Sequence, residues 1–355
     1  MVVVLGHIAS FTENAIIGSR AFELSPLHLI VAGNSAVVVF FVLSGLVLTI
    51  PILRSRPDRT TARDRWAPYY PRRLVRLYLP SWGALAVGFV LVTWASHVLH
   101  APPGSKIADA STAPSLHDLV HGIVFLFGSG TIDPPLWSLS LEVIASLALP
   151  LVIVLVLAAR PRTPWKVLVV LILSPLVCAA SLQSGTVLVA FVAGSLLALL
   201  ELRRSRGPAT WTGSRWVAVL VASALLLNTA PWLELLPLPA SAASGILGLT
   251  RILGALGLVA VALFWEPACR VLLLRPLQWL GSRSFSLYLV HYPVIVLIGA
   301  ALLAGHPGPY MLLALVGALV AAEGFYRLIE RPSHRLSRRV GKLVANRDAS
   351  GRSTS

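Results

Sequence analysis

Charged side chains are scarce in this sequence of 355 residues: only 12% are Asp, Glu, Lys or Arg, and only 14 residues are acidic. A soluble globular domain carries about 25% charged residues. The scarcity excludes a water-soluble enzyme, and the abundance of apolar residues excludes a disordered chain. The two cysteines, Cys178 and Cys269, provide no disulfide framework. The first lies in a predicted span and the second in a loop, so they are not expected to pair.

The sequence is instead rich in long runs of apolar residues. Hydrophobic residues make up 56% of the chain, and the mean hydropathy is +0.81. A run of about 20 apolar residues crosses a bilayer as a helix, and unbroken runs do not fit the alternating strands of a β-barrel. Ten runs are found, at approximately 2–18, 33–53, 79–99, 137–158, 166–182, 184–202, 215–232, 245–265, 284–304 and 309–329.

The basic residues show how these spans are oriented. Of 29 Lys and Arg residues, 26 lie in alternate loops and in the tail after 329, allowing a residue or two at each boundary. The positive-inside rule places such loops in the cytoplasm. The net charge of +15 therefore reflects topology and contact with membrane lipids, and no nucleic-acid partner is expected.

The sequence thus predicts an all-α, polytopic membrane helix bundle of about ten transmembrane helices, with cytoplasmic N- and C-termini. A multi-pass protein of the inner (plasma) membrane is expected. The transmembrane domain covers 1–335, and 336–355 is predicted to be a basic, disordered cytoplasmic tail.

Ionisable residues inside spans are costly and are functional candidates. His291 is such a residue, with the alternative that it locks two helices together by hydrogen bonding. Arg251 and Glu323 could instead form a structural ion pair. Ser44, beside Gly45, could instead make a small-residue contact between helices. The full set of candidates is His7, Ser44, Glu142, Arg251, Tyr288, His291 and Glu323.

An arginine cluster precedes the third span. Arg72 and Arg76 share a helical face, with Arg73 beside them. Guanidinium groups in this arrangement can hold phosphates by bidentate contacts, and anionic lipid headgroups are the alternative ligand. The arginines within 54–65 are interpreted as topogenic. No metal site is predicted, although the loop 100–136 contains Asp109, His117, Asp118 and His121.

Several segments together resemble the membrane-bound acyltransferase-3 family, the integral-membrane O-acyltransferases of bacterial surface carbohydrates. They are His7, VVFFVLSG at 38–45, RRLVRLYLP at 72–80, PLWSLSLE at 135–142, LGSRSFSLYLVH at 280–291 and ERP at 330–332. Their order and spacing extend the resemblance over about 1–335.

The resemblance implies an O-acyltransferase with a cytoplasmic acyl-CoA, expected to be acetyl-CoA, as its donor substrate. No permanently bound cofactor is expected. The acceptor would be a hydroxyl of a cell-surface carbohydrate or glycolipid. The family pairs the first-span His with an Arg eleven residues earlier. That position lies upstream of Met1, so further upstream residues are expected.

We hypothesise that His7 is the base that takes the acceptor proton, since imidazole titrates near neutrality. Glu142 would orient that imidazole or bind the acceptor. A covalent acyl-enzyme on Ser44 is disfavoured because no base is evident beside it. The remaining roles are CoA-phosphate binding by Arg72, Arg73 and Arg76, carbonyl polarisation or tunnel lining by Tyr288 and His291, and shaping of the tunnel or acceptor site by Ser44 and Trp137.

Two other functions fit the same composition. A secondary transporter of a small solute also has about ten spans with ionisable residues near the midplane. No self-similarity between spans one to five and six to ten supports it. A catalytically inactive homologue is the other alternative.

Overall fold

The structure, a computed structural model, describes residues 1–12, 18–54, 62–99, 105–124, 132–158, 182–204, 211–302 and 307–350. Within those ranges the chain is almost entirely helical and contains no strand. The helices are α1 Val2–Thr12, α2 Arg20–Leu24, α3 Gly33–Arg54, α4 Ala62–Val98, α5 Lys106–Ala110, α6 Leu116–Val124, α7 Leu136–Leu147, α8 Leu149–Ala158, α9 Leu182–Arg204, α10 Gly213–Leu227, α11 Ala230–Leu233, α12 Ala240–Phe264, α13 Glu266–Leu272, α14 Arg275–Leu302, α15 Pro307–Phe325 and α16 Arg331–Ser350. A 3-10 turn occupies Pro26–Ile30, and a π-helical turn, Tyr326–Glu330, joins α15 to α16.

The all-helical membrane class predicted from the sequence is confirmed. Five helices in the described ranges are long and apolar enough to cross a bilayer: Gly33–Arg54, Trp66–Val98, Ala240–Phe264, Arg275–Leu302 and Pro309–Asn346. Shorter apolar helices stand at other predicted spans, whereas the predicted span 166–182 lies almost wholly outside the described residues. The count of ten and the cytoplasmic termini stay predictions.

A pair of glycines brings α3 and α9 into close contact. A Cβ on Gly45 would lie 1.9 Å from the Phe191 carbonyl oxygen, and a Cβ on Gly194 would lie 1.9 Å from that of Val42. Small residues let helix backbones approach in this way inside a membrane. The small-residue contact considered for the Ser44-Gly45 pair is therefore correct for Gly45.

Proline explains the break between α7 and α8. Pro150 lacks an N–H, so it cannot donate to the carbonyl of Ser146 four residues earlier. The Tyr69 hydroxyl of α4 donates to that carbonyl instead, at 3.1 Å. A backbone acceptor inside the bundle is satisfied, and the start of α4 is fixed against the end of α7.

Helix α7 lies at the seam between two apolar clusters. One is centred on α3 and α9 and includes Leu141 and Ala145 of α7. The other is built from α1, α4, α14 and α15 and includes Leu139 and Val143 of α7. Because α7 is buried on several faces, its polar side chains are held between the two halves of the bundle.

The predicted disordered tail differs from the structure. Residues 336–350 belong to α16, which packs along α4, and only 351–355 lie outside the described residues. Gly341 of α16 faces α4, where a Cβ would meet the Arg72 side chain at an ordinary contact distance of 3.4 Å. We call the end of the bundle where α16, the end of α3 and the start of α4 meet the basic end.

Candidate active site

Two imidazoles from different helices meet inside the bundle. The rings of His7 on α1 and His291 on α14 lie with centroids 5.3 Å apart. Tyr292 meets His7 edge-on at 5.4 Å. Val4 and Ile8 are buried on α1 and fix the face that it turns inward. His7 follows Val4 by three residues, so it shares that face.

The tautomer of His291 follows from its hydrogen bonds. Its Nδ1 lies 2.7 Å from the Tyr288 carbonyl oxygen and 3.1 Å from that of Leu287. A carbonyl only accepts, so Nδ1 carries the proton and Nε2 holds a lone pair. The side chain is fully buried, and Nε2 has no hydrogen-bond partner among the residues described. These bonds stay within α14, so among the described residues His291 makes no hydrogen bond that would lock two helices together.

Tyr288 connects α14 to the beginning of α7. Its hydroxyl donates to the Pro135 carbonyl oxygen and lies 2.6 Å from the Ser138 hydroxyl. Because the single phenolic proton is used by Pro135, Ser138 is the donor in the second bond. The Tyr288 ring lies 5.8 Å from that of His291, as their spacing on one face predicts.

Glu142 lies one turn after Ser138, on the same face of α7. It accepts hydrogen bonds from the Ser44 hydroxyl, at 2.6 Å, and from the Arg73 guanidinium. Arg73 also donates from Nε to Ser146 Oγ at 3.0 Å. The pair is buried, with the Arg73 side chain 12% exposed and that of Glu142 2% exposed. The structure thus joins Glu142 to Ser44 and Arg73, whereas His7 contacts His291 and Tyr292.

This arrangement changes the reasoning about Ser44. A carboxylate does lie beside its hydroxyl, contrary to the reading of the sequence. The same carboxylate oxygen is paired with the Arg73 guanidinium, which stabilises its charge and weakens it as a base. The bonds of Ser44 and Arg73 therefore tie α3 and α4 to α7.

A cavity of about 670 Å³ opens at the basic end. The three arginines predicted to bind phosphate, Arg72, Arg73 and Arg76, all line it. Two further cations, Arg338 and Lys342 of α16, lie on its wall, and α3 contributes an apolar surface from Val47 to Ile52. Sequence reasoning missed these two because it treated the tail as disordered, although their spacing of four residues is a helical signal.

The opposite end of α3 lines a second, smaller cavity of about 160 Å³. Trp137 and Arg251 both contribute to it. Glu323 does not pair with Arg251: it accepts hydrogen bonds from Arg283 at 2.7 Å and Arg327 at 2.5 Å. The ion pair considered between Arg251 and Glu323 is therefore wrong.

Two buried carboxyl groups were not singled out as site residues from the sequence. Glu330, in the π-helical turn, accepts from the backbone N–H of Ser286 at 3.0 Å and from its hydroxyl. The ERP motif carries this residue, so a signal was present. Asp133 is fully buried in the loop before α7, where desolvation raises the pKa of its carboxyl well above the usual range. No periodic pattern marks it.

The family model described as an acyltransferase domain matches residues 1–327. The match covers most of the chain, so the chain belongs to this acyltransferase family, and the resemblance drawn from its motifs is confirmed.

Several named relatives agree with this class. One relative is YrhL of Bacillus subtilis, which is named as a putative peptidoglycan O-acetyltransferase. It is 25% identical over 84% of this chain and 50% of its own length. Acyltransferase MdmB of Streptomyces mycarofaciens is 28% identical over 87% of this chain and 83% of its own. Peptidoglycan O-acetyltransferase OatA of Listeria monocytogenes is 35% identical over 22% of this chain and 13% of its own.

The chain spans about half the length of YrhL and a smaller part of OatA. No solved structure matches it.

Proposed function

We propose that this protein is an integral-membrane O-acyltransferase of the inner (plasma) membrane. It transfers an acyl group, most simply acetyl, from cytoplasmic acyl-CoA to a hydroxyl of a cell-surface or lipid-linked carbohydrate. The family assignment and the names of the relatives support the reaction class and a carbohydrate acceptor. The observation that carries the choice of donor is the cation-lined cavity at the basic end.

The composition of that cavity suits the donor. Coenzyme A presents several phosphate groups, an adenine ring and a long flexible arm. Arg72, Arg76 and Arg338 offer guanidinium groups, which bind phosphate in a bidentate manner. The apolar wall from α3 suits the adenine ring and the arm. Arg73, which Glu142 already holds, forms the boundary between this cavity and the interior.

The proposed chemistry centres on His7. Its imidazole takes the proton of the acceptor hydroxyl while the oxygen attacks the thioester carbonyl. Collapse of the tetrahedral adduct breaks the carbon–sulfur bond, and the proton passes from His7 to the departing thiolate of CoA. The His291 ring lies 5.3 Å from that of His7 between centroids, and in this proposal its unpartnered Nε2 lone pair stabilises the imidazolium that forms.

Tyr288 has a narrower role in this proposal. Of its two expected roles, lining the site is the one we retain, because its proton already serves the Pro135 carbonyl. The hydroxyl of Ser138 fixes the ring on its other side. Tyr288 therefore lines the site beside His291, with the two ring centroids 5.8 Å apart.

The test is release of CoA from acetyl-CoA by the full-length protein in lipid nanodiscs, with soluble peptidoglycan fragments as acceptor. His7→Ala is expected to reduce the rate by about 100-fold or more, the usual contribution of a general base. His97→Ala is the matched control, since that histidine is exposed near the end of α4. Equal rates for wild type and His7→Ala would exclude His7 from the mechanism, and absence of CoA release by the wild type would refute the donor.

A further inference from the structure

Arg251 lies within a predicted span and pairs with no carboxylate in the part of the chain that the structure describes. Two other arginines that are not fully exposed do pair with carboxylates: Arg73 with Glu142, and Arg283 with Glu323. Within the ranges that the structure describes, no ion pair involves Arg251, and its enclosed Nε has no hydrogen-bond partner. A guanidinium placed in a helix bundle is costly unless an anion or water compensates it. The structure therefore leaves a positive group there with hydrogen-bonding capacity unused.

The smaller cavity supplies the space for a compensating anion. Besides Arg251, its polar lining comes from Asn34, Thr186 and Ser244, and Trp137 provides an aromatic face. Its volume, about 160 Å³, corresponds to on the order of ten water-sized spheres. That is room for a group the size of a monosaccharide. Convergent polar groups with one aromatic wall are typical of a small-molecule site.

The position of this cavity relates it to the reaction. It lies at Asn34 and Val38, near the beginning of α3, whereas the basic cavity lies at 47–52 near the end of the same helix. Nine residues of helix separate Val38 from Val47, a rise of about 14 Å. The two cavities therefore approach the interior from opposite ends.

The wall of the smaller cavity is also adjacent in sequence to the histidine cluster. Trp137 lines the cavity, and the next residue, Ser138, bonds Tyr288, whose ring contacts His291. A molecule resting on Trp137 would therefore lie against the same end of α7 as Ser138, the residue that bonds Tyr288, and at the opposite end of α3 from the donor cavity.

We propose that the cavity around Arg251 binds an oxyanion, a carboxylate or phosphate, carried by the carbohydrate acceptor, with the sugar ring against Trp137. The protein would thereby select acidic sugars over neutral ones. This inference rests on the proposed function for its acceptor. A carbohydrate is favoured over a phospholipid headgroup because the polar side chains and the indole face together suit a ring bearing hydroxyl groups.

The test measures binding without catalysis. Full-length protein carrying His7→Ala, in phosphatidylcholine nanodiscs, is titrated with N-acetylmuramic acid, N-acetylglucosamine 1-phosphate and neutral N-acetylglucosamine. Arg251→Gln is expected to raise the Kd of an acidic sugar about 10- to 100-fold, the effect of losing hydrogen bonds to a charged group, and to leave the neutral sugar unchanged. The two acidic probes distinguish a carboxylate from a phosphate. Arg215→Gln, which alters an exposed arginine on α10, is the matched control.

Two further variants keep the test decisive if Arg251→Gln does not fold. Arg251→Lys keeps the positive charge but loses bidentate geometry, so it should weaken acidic sugars only partly. Trp137→Ala should weaken acidic and neutral sugars alike. Unchanged affinities in all variants would overturn the inference, as would displacement of the sugar acid by phosphatidylglycerol in the nanodisc, which would identify a lipid site.

Failure of the inference and failure of the proposed function give different results. If the wild type releases CoA but Arg251→Gln modifies acidic and neutral sugars in an unchanged ratio, the acidic-sugar site is refuted and the enzyme stands. If acidic sugars bind through Arg251 but acetyl-CoA is never consumed, the site stands and the proposed donor is refuted.

Discussion

The buried pair of Arg73 and Glu142 offers a sharp test of the packing around α7. Glu142→Gln keeps an oxygen that can accept from Ser44 and Arg73, yet it removes the negative charge. Arg73 is then left as an unpaired cation, 12% exposed, next to apolar neighbours. The reverse substitution, Arg73→Gln, leaves the carboxylate of Glu142 uncompensated at 2% exposure.

The magnitude follows from this burial. Removing one partner of a buried ion pair costs about 3–5 kcal/mol, because the remaining charge stays desolvated. The double variant carries no charge at either position, so it should lose less than the sum of the two single variants. We expect a coupling energy of about 2–3 kcal/mol between the two sites. The single losses approach the whole stability of a typical protein, about 5–15 kcal/mol.

The assay is reversible unfolding in mixed micelles, with increasing dodecyl sulfate and tryptophan fluorescence as the signal. The matched control is Arg54 with Glu201, a pair 3.3 Å apart whose side chains are 57% and 25% exposed. Replacing Glu201 with Gln should change the free energy of unfolding by less than about 1 kcal/mol. Losses of similar size at Glu142 and Glu201, or an additive double variant, would show that the buried pair does not hold α4 to α7.

Two other substitutions have matched controls in the same chain. Gly45→Ala should destabilise the bundle by about 1–3 kcal/mol, since its Cβ would overlap the Phe191 carbonyl. Gly324→Ala, where a Cβ meets nothing within 4 Å, should be neutral or stabilising in the same unfolding assay. Arg338→Gln should raise the KM for acetyl-CoA about tenfold through loss of a phosphate contact. Arg335→Gln on the same helix should leave it unchanged, and equal KM values would remove α16 from the donor site.

Several site residues could be located from the sequence because they belong to recognisable local patterns. The face shared by Tyr288 and His291 follows from a helical spacing of three residues, and the structure shows their rings in contact. The arginines at 72, 73 and 76 were placed together by the same reasoning, and they line one cavity.

Other features required knowledge of which helices meet. Arg251 was matched with Glu323 because both are ionisable residues within spans, yet Glu323 lies against Arg283 and Arg327. The sequence predicts that Glu142 orients His7 or binds the acceptor, but the crossing of α3, α4 and α7 brings it to Ser44 and Arg73. Spacing along one helix carries no information about which residues of another helix pack against it.

The amino-acid sequence by itself determined the class of this protein. A helix in an apolar medium satisfies its hydrogen bonds within its own segment, so apolar runs and motif order sufficed for a helical membrane acyltransferase. Only the tertiary structure decided which charged groups form ion pairs, which ring nitrogen of His291 carries the proton and where Arg251 has room for a ligand. Those properties depend on the approach of distant segments, such as α3 and α9 at Gly45 and Gly194, and close packing sets that approach to within fractions of an ångström.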